Sequence, residues 1–460
     1  MADGVRESLF DSSFRVGITG VSRAGKTVFL TSLVANLLER GRMLRFTPEM
    51  EGRIEAVALR PQPDMNIARF DYEAHMAALS GRDPHWPEGT RSVSQLRLSV
   101  RYRPQGWLSG FGGPKTVHID FIDYPGEWLL DLPLIDQSYA TWSASVLEAA
   151  RTPLRADRAE KWLRLVEAAD PDAPYDEDVT QDLVASYGEY LSACRMDGLS
   201  GMTPGRFLMP GELEGSPALA FTPLPKARGR RRTLYAEFAR RFEAYKRHVV
   251  KPFFRDHFAR LDRQVVLIDL LGALDAGPGA VADLRSSMTD ILACYKPGAK
   301  GWLGSLLGRR IDRILFAATK ADHVHHTQHS RMTAIVNALL RESVERASFR
   351  GARTEALAIA SIRATVEQEI EHRGQKIPCV RGRLISSGKE AALHPGDLPE
   401  SPQRVLAEAR EEAERGTGWL DGDFKVMRFA PPSNAARANE GPPHIRLDQA
   451  LEFLLADRLR

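Results

Sequence analysis

Cysteine is scarce in this chain: Cys194, Cys294 and Cys379 stand alone among 460 residues. An odd number without CxxC spacing argues against a disulfide framework or a cysteine zinc site, and it suits a reducing cytoplasm. Long apolar runs are missing too. The most apolar stretch, Val265 to Leu271, is strand-length and carries Asp269, far short of the ~18 residues a spanning helix needs. The opening MADGVRESLFDSSF has no basic start followed by an apolar segment, so it does not read as a secretory signal. Neither charge sign dominates: 63 Lys and Arg face 60 Asp and Glu, a formal net charge of +3. The molecule as a whole is therefore a poor electrostatic match for nucleic acid. With 43% apolar and 27% charged residues, a chain this long can bury a core without staples.

What is present is a pattern of strands alternating with helices. A strand is expected at Phe14–Thr19, a helix at Lys26–Glu39, loop at 41–64 and helix at 66–80. Two strands follow, Ser94–Arg103 and Lys115–Asp123, joined by a glycine-rich hairpin connection at 105–114. Residues 139–260 carry almost no β pattern and read as a helical insertion. Strands resume at Gln264–Leu271, Ile311–Thr319 and Glu355–Ser361. Helices are expected near 278–294, 328–347 and 401–415, with β-like stretches at 379–386 and 424–429 and a final helix at 446–459. The expected fold is α/β, a mostly parallel sheet covered by helices. The parts are 1–138 (first part of the core), 139–260 (the insertion) and 261–460 (the remainder of the core).

The strongest local signal is Gly20-Val21-Ser22-Arg23-Ala24-Gly25-Lys26-Thr27, which fits GxxxxGK[ST] between an expected strand and helix. Glycines let the backbone wrap a phosphate chain, and the loop N–H groups form an anion nest at a helix N-terminus. Lys26 would reach the β and γ phosphates, and the Thr27 hydroxyl would ligate Mg²⁺. A second metal ligand is expected at Asp123, closing Val117-His-Ile-Asp-Phe-Ile-Asp123 and opening Asp123-Tyr-Pro-Gly126. The Gly126 N–H would meet a γ-phosphate. Asp269 competes for the metal role, but Leu270 and Leu271 are expected to continue its strand, so Asp123 is preferred.

Base recognition is expected at Thr319-Lys320-Ala321-Asp322, after the strand Arg313–Thr319. A carboxylate at Asp322 accepts from N1–H and the 2-amino group of guanine, donors that adenine does not offer in that pattern. Ser361 and Ile362, one strand later, would present backbone to the guanine carbonyl.

Gly20–Thr27, Asp123–Glu127 and Thr319–Asp322 together resemble the P-loop GTPase superfamily. DRQVVLIDLLGALDAG (262–277), RIDRILFAATKADHVH (310–325) and PHIRLDQALEFLLADRL (443–459) resemble the YcjX family of bacterial stress-associated nucleotide-binding proteins, a likeness that runs over nearly the whole chain. The resemblance implies a GTPase-like core with a large helical insertion and GTP or GDP as bound nucleotide. It also implies a cytoplasmic location or one peripheral to the inner membrane, and a link to envelope stress through a membrane-associated protein effector. A first-switch threonine, serving the metal and catalysis, would be Thr90 in Trp86-Pro-Glu-Gly-Thr90-Arg91. Glu127 takes the place where Ras-like proteins carry a water-positioning Gln; a Glu there could orient water but adds negative charge, so slow hydrolysis is expected. Arg23 and Arg91 are candidate charge stabilisers.

Other features read more plainly. Lys226, Arg228 and Arg230–Arg232, with Arg240, Arg241, Lys246 and Arg247, are expected to form a solvated loop and helix face, with lipid or RNA contact as the alternatives. Trp107–Phe111 and Trp302–Leu307 are apolar, glycine-containing loops expected to pack. His323, His325, His326 and His329 show no carboxylate or Cys partner for a metal nearby and read as loop histidines, with metal binding as the alternative. The function expected is Mg²⁺-dependent GTP hydrolysis by a slow regulatory switch. An ATPase of the same fold and a GTP-gated scaffold with little hydrolysis are the alternatives.

Overall fold

A computed structural model of the chain describes residues 12–20, 23–89, 92–106, 113–229, 232–293, 311–349, 351–372, 374–415, 420, 424–433 and 440–460. Its centre is an eight-stranded sheet. The strands are β1 (Ser12–Gly20), β2 (Ile54–Arg60), β3 (Ala68–Arg69), β4 (Ser94–Tyr102), β5 (Lys115–Asp123), β6 (Arg263–Ile268), β7 (Arg313–Ala318) and β8 (Arg353–Ala358). They lie in the order β2-β4-β5-β1-β6-β7-β8, with β3 beside β4. Pairing is parallel from β5 through β8, while β4 runs against both β5 and β2. The sheet is therefore mostly parallel, as expected.

Alternation along the central strands assigns the two faces. Val265, Leu267 and Leu315 point to one core, with Phe29 and Leu33 of helix α1 (Lys26–Glu39). Val266, Ile268 and Phe316 point to the other. Helix α2 (Tyr72–Ser80) follows β3. Helices α3 (Tyr139–Ala150), α4 (Ala156–Ala168), α5 (Glu177–Met196) and α6 (Leu234–Tyr245) come between β5 and β6. Side chains satisfy the first N–H groups of three of them: Thr141 N donates to Ser138 Oγ, Val179 N to Asp176 Oδ1 and Ala236 N to Thr233 Oγ1. Trp142 stacks on Phe242 at 4.9 Å and Trp162 on Tyr190 at 5.2 Å. These rings belong to the same contiguous core as Ile122, Val266 and Ile268 of the sheet.

Several expectations need correction. Residues 41–64 are not all loop: Thr47–Met50 is a helical turn and Ile54–Arg60 is β2. This strand is mostly exposed and held by its ladder to β4, with Ile54 buried and only Val57 and Leu59 half-buried against the core. Its apolar signal is therefore short and lies within an Arg- and Pro-rich stretch. The strand near Val265 ends at Ile268, because the Asp269 side chain accepts from Gly272 N and caps α7 (Leu270–Asp275). Helix α8 (Pro278–Ala293) follows. The helix expected at 328–347 is two, α9 (His329–Leu339) and α10 (Arg341–Phe349). Beyond β8, a separate antiparallel sheet is made of β9 (Val366–His372), β10 (Gln375–Arg383) and β11 (Glu390–Leu393). Residues 424–429 contribute only a bridge, Phe429 to Leu384. Helices α11 (Pro402–Arg415) and α12 (Leu447–Leu455) complete the chain.

The basic run is not simply solvated. Arg240 and Arg241 both donate to Glu237, and buried Lys246 donates to the Gln137 carbonyl at 2.7 Å. Arg230 and Arg231, Trp107–Phe111 and Trp302–Leu307 lie outside the described residues.

Between β5 and α3, residues Gly126–Asp136 form a 3₁₀ segment that is almost entirely buried. Its anchor to the helical layer is Asp131, which accepts from Gly205 N at 2.7 Å, Tyr245 Oη at 2.6 Å and Arg206 N at 3.3 Å. Burial pushes the Asp131 carboxyl up to about 6, against the pull of those hydrogen bonds and of Arg206. Between the ordinary carboxylate range and about pH 6, the folded chain keeps a proton that the unfolded chain has shed. Stability from this group is present at lower pH and lost as pH rises through that window, by on the order of 3 kcal/mol. Relative to wild type, Asp131→Asn should gain stability between pH 4 and 6. Urea midpoints measured across that range would show it; parallel curves for the two proteins would contradict it.

Candidate nucleotide site

β1 ends at Gly20, paired with Leu267 of β6, and Ile18 pairs with Asp123 at the end of β5. Ligands of parallel sheets bind at these carboxyl ends. The loop into α1 puts Arg23 at φ 64° and Gly25 at φ 82°; glycine adopts the latter without the steric cost of a side chain. No side chain caps α1 and its first turn holds no acidic residue, which leaves its N–H groups and dipole suited to an anion. Lys26 is largely buried and donates to the Gly20 carbonyl at 3.1 Å. Thr27 is buried beside it, and Asp123 is fully buried. A hydroxyl and a carboxylate are hard oxygen donors, the kind Mg²⁺ takes.

Gly126 is pressed onto this loop. A Cβ there would stand 1.7 Å from the Gly20 carbonyl oxygen and 3.4 Å from Lys26 Nζ. The next residue, Glu127, meets Arg195 of α5 at 2.8 Å. Arg23 donates to the Met196 carbonyl at 3.2 Å, so the end of α5 touches both the phosphate loop and the segment after Asp123.

On the other side, Thr319 N donates to the Ile268 carbonyl at 2.9 Å, and Lys320, at φ 61°, pairs with Asp269. Asp269 is thus occupied by Lys320 and by its capping bond, a better reason to set it aside than the strand continuation expected. Asp322 Oδ2 accepts from Ala364 N at 2.8 Å, and the Thr365 hydroxyl donates to the Asp322 carbonyl. Ser32 of α1 donates to the Ser361 carbonyl at 2.5 Å, and Ile362 is buried.

The four histidines separate into pairs. His323 and His329 are buried, not loop residues, and burial lowers both ring pKa values. His329 accepts from Arg446 at Nδ1 (3.0 Å), so the Nε2–H donates to the Ala321 carbonyl at 2.8 Å. His326 Nδ1 lies 2.7 Å from Glu367 of β9, and His325 Nε2 lies 3.8 Å from the same carboxylate. A carboxylate does therefore stand near, supplied across 41 residues of chain. These three side chains hold candidate metal-ligand atoms within 4.8 Å of one another, with Arg363 3.8 Å from the carboxylate.

A cavity of about 860 Å³ joins these parts. Arg23, Ala24, Gly25, Lys26 and Thr27 line one end, and Thr319, Lys320, Asp322, Ser361 and Ile362 the other. Gly20 and Gly126 meet beside Lys26, and Asp123 ends the strand paired with β1; none of these, nor Glu127, is among the cavity's lining residues. Trp86 and Gly89 also line the cleft, but Thr90, Arg91 and Ser22 lie outside the described residues. The sequence reading missed Arg195, Met196, Ile385 and the strap Val426–Phe429 in this wall. Only assembly brings them there: Trp86 Nε1 donates to the Phe429 carbonyl at 2.7 Å, and Ile385 N to the Arg428 carbonyl at 3.0 Å.

A family model described as YcjX-like family, DUF463, matches residues 14–459. The chain belongs to the YcjX-like family. It is 37% identical, over 463 residues, to an Escherichia coli protein described as "Ras-like GTPase YcjX", covering 98% of this chain and 97% of that protein. A Shewanella oneidensis protein of the same description is 34% identical over 481 residues, covering 98% and 95%. The YcjX-like match thus runs through the helical layer at 139–260 as well as through the strands.

The Gly126 contact yields a test. Gly126→Ala forces a methyl group into the Gly20 carbonyl, and relieving that overlap should cost roughly 1–3 kcal/mol. The variant should lose thermal stability and bind nucleotide more weakly, since the phosphate loop must yield. A variant with the wild-type melting temperature and nucleotide affinity would show that the two segments are free to part.

Proposed function

We propose that the chain binds GTP and hydrolyses it with Mg²⁺ as a slow nucleotide switch. The observation that carries this reading is the convergence of Arg23–Thr27, Thr319, Lys320, Asp322, Ser361 and Ile362 on one cleft, with Gly126 pressed against Gly20 and Lys26. The description of two full-length relatives as Ras-like GTPases supports it.

In this reading the N-terminus of α1 and the loop N–H groups hold the phosphates, and Lys26 turns from the Gly20 carbonyl towards the β and γ oxygens. Thr27 and Asp123, with Thr90, would hold Mg²⁺, which neutralises charge on the phosphates when bound. The Gly126 N–H contacts the γ-phosphate. Asp322 keeps Oδ2 on Ala364 N and offers Oδ1 to the guanine edge. Residues 1–138 and 261–460 form the nucleotide-binding core, and 139–260 relays its state to a protein effector at the inner membrane during envelope stress.

Asp123→Ala should weaken Mg²⁺-dependent GTP binding more than GDP binding. Calorimetry with and without Mg²⁺ would read it, and equal losses for the two nucleotides would remove Asp123 from the γ side.

Base choice has a sharper test. In Asp322→Asn the Ala364 N–H fixes the amide oxygen in place of Oδ2, so the NH₂ group faces the cleft. That donor suits the 2-carbonyl of xanthine and opposes the 2-amino group of guanine. Wild type should prefer GTP over ATP by competition titration, and the variant should shift towards XTP. Equal binding of ATP and GTP by wild type, with no change in the variant, would reject the reading.

A further inference from the structure

Glu127 follows the glycine that abuts the phosphate loop, and its side chain is only 6% exposed. A carboxylate so buried needs a counter-charge. Its counter-charge is Arg195, from the last turn of α5 in the helical layer. The Arg195 guanidinium is 33% exposed and lines the cleft. Nη2 faces Glu127 at 2.8 Å and Nη1 reaches Met209 Sδ at 3.6 Å, so the fork is held from two sides.

Other cations among the described residues also line the cleft. Lys320 pairs with Asp269 on the base side. The Arg428 carbonyl, on the strap, accepts from Ile385 N. Arg23, one of the two arginines singled out from the sequence, donates to the Met196 carbonyl. Lys26 serves the β and γ oxygens in the reading above. Arg195 is ion-paired to the residue that follows Gly126, and the planar fork of a guanidinium matches the geometry of a phosphoryl group.

We propose that Arg195 supplies the positive charge that stabilises the transition state of GTP hydrolysis, with Glu127 as its positioning residue rather than a water-orienting base; this rests on the GTPase reading above. In the step concerned, a water oxygen bonds to Pγ while the bond from Pγ to the β–γ bridging oxygen breaks. The electron pair leaves on the β-phosphate of GDP, and a water proton passes to the released phosphate or to solvent. Charge gathers on the γ oxygens and the bridging oxygen as that happens. The guanidinium stands beside them without help from another chain, so an activating partner acts by moving α5 and need not bring an arginine.

The test uses the full chain as wild type, Arg195→Ala and Arg195→Lys. GTP and GDP affinities are read by titration with Mg²⁺, hydrolysis by single-turnover measurement, and transition-state mimicry by capture of GDP with aluminium fluoride. Both variants should bind GTP and GDP within about threefold of wild type, hydrolyse roughly 10³-fold more slowly and lose the aluminium fluoride complex. Arg195→Lys preserves a cation for Glu127, so its loss of rate separates the planar fork from the buried ion pair. Added guanidinium should restore part of the Arg195→Ala rate, which a purely structural role would not allow. Equal rates and equal capture in wild type and both variants, including no capture by any of them, would overturn the proposal while leaving GTP binding intact. A wild type that binds no GTP would overturn the GTPase reading itself.

Discussion

Gly126 has its α-carbon set so close to the Gly20 carbonyl that a single added carbon would overlap it at 1.7 Å. The segment that begins there, Gly126–Asp136, cannot lie flat on solvent, because Trp128, Leu129, Leu132 and Leu134 are buried along it. It is a wedge between the phosphate loop and the helical layer. Its near end touches Gly20; its middle is tied by Asp131 to Gly205, Arg206 and Tyr245. Gly205 is as confined as Gly126, since a Cβ there would meet the Glu127 carbonyl at 1.8 Å. Backbones packed too closely to admit a Cβ leave little slack to absorb displacement.

The helical layer therefore is not an appendage with a private core. Its tryptophans and tyrosines are contiguous with the sheet face that carries Val266, Ile268 and Phe316, and α5 ends on the phosphate loop through Met196 and Arg23. In the proposed cycle, loss of the γ-phosphate releases a segment whose other side is packed against helices 139–256. Rearrangement would then involve a buried layer and not a surface loop alone.

How much of this the sequence disclosed follows from how local each feature is. The phosphate loop, Asp123 and Thr319–Asp322 each lie within a few residues at a strand end, so strand, turn and chemistry appear together in one stretch. The central strands were legible because Val265, Val266, Leu267 and Ile268 are buried on both faces. β2 was not, because its inward residues Val57 and Leu59 are only half-buried and the exposed Ala56 and Ala58 beside them blur the alternation. Asp269 looked like a residue inside a strand because leucines follow it, yet those leucines are buried as helix α7. The strap at Val426–Phe429, Glu367 beside His326, and Arg195 beside Glu127 have no local signature. Each is a juxtaposition across tens or hundreds of residues, and the side chains alone look like ordinary surface charge.

The two ends of the cleft are built on different principles. At the base end, Ala364 N and the Thr365 hydroxyl fix Asp322, while a neutral His329 links the Ala321 carbonyl to Arg446. Burial and the neighbouring Arg446 cation both hold His329 below its ordinary pKa, so the link keeps its donor and acceptor roles at neutral pH. These partners all come from residues 321–365 and 446, with none from the helical layer. At the phosphate end the contacts of Glu127 and Asp131 run into that layer instead. Base identity would then be read by a frame braced within the sheet, and phosphate content by a wedge shared with the helices. A partner gripping the helical layer could change phosphate handling and leave base choice untouched.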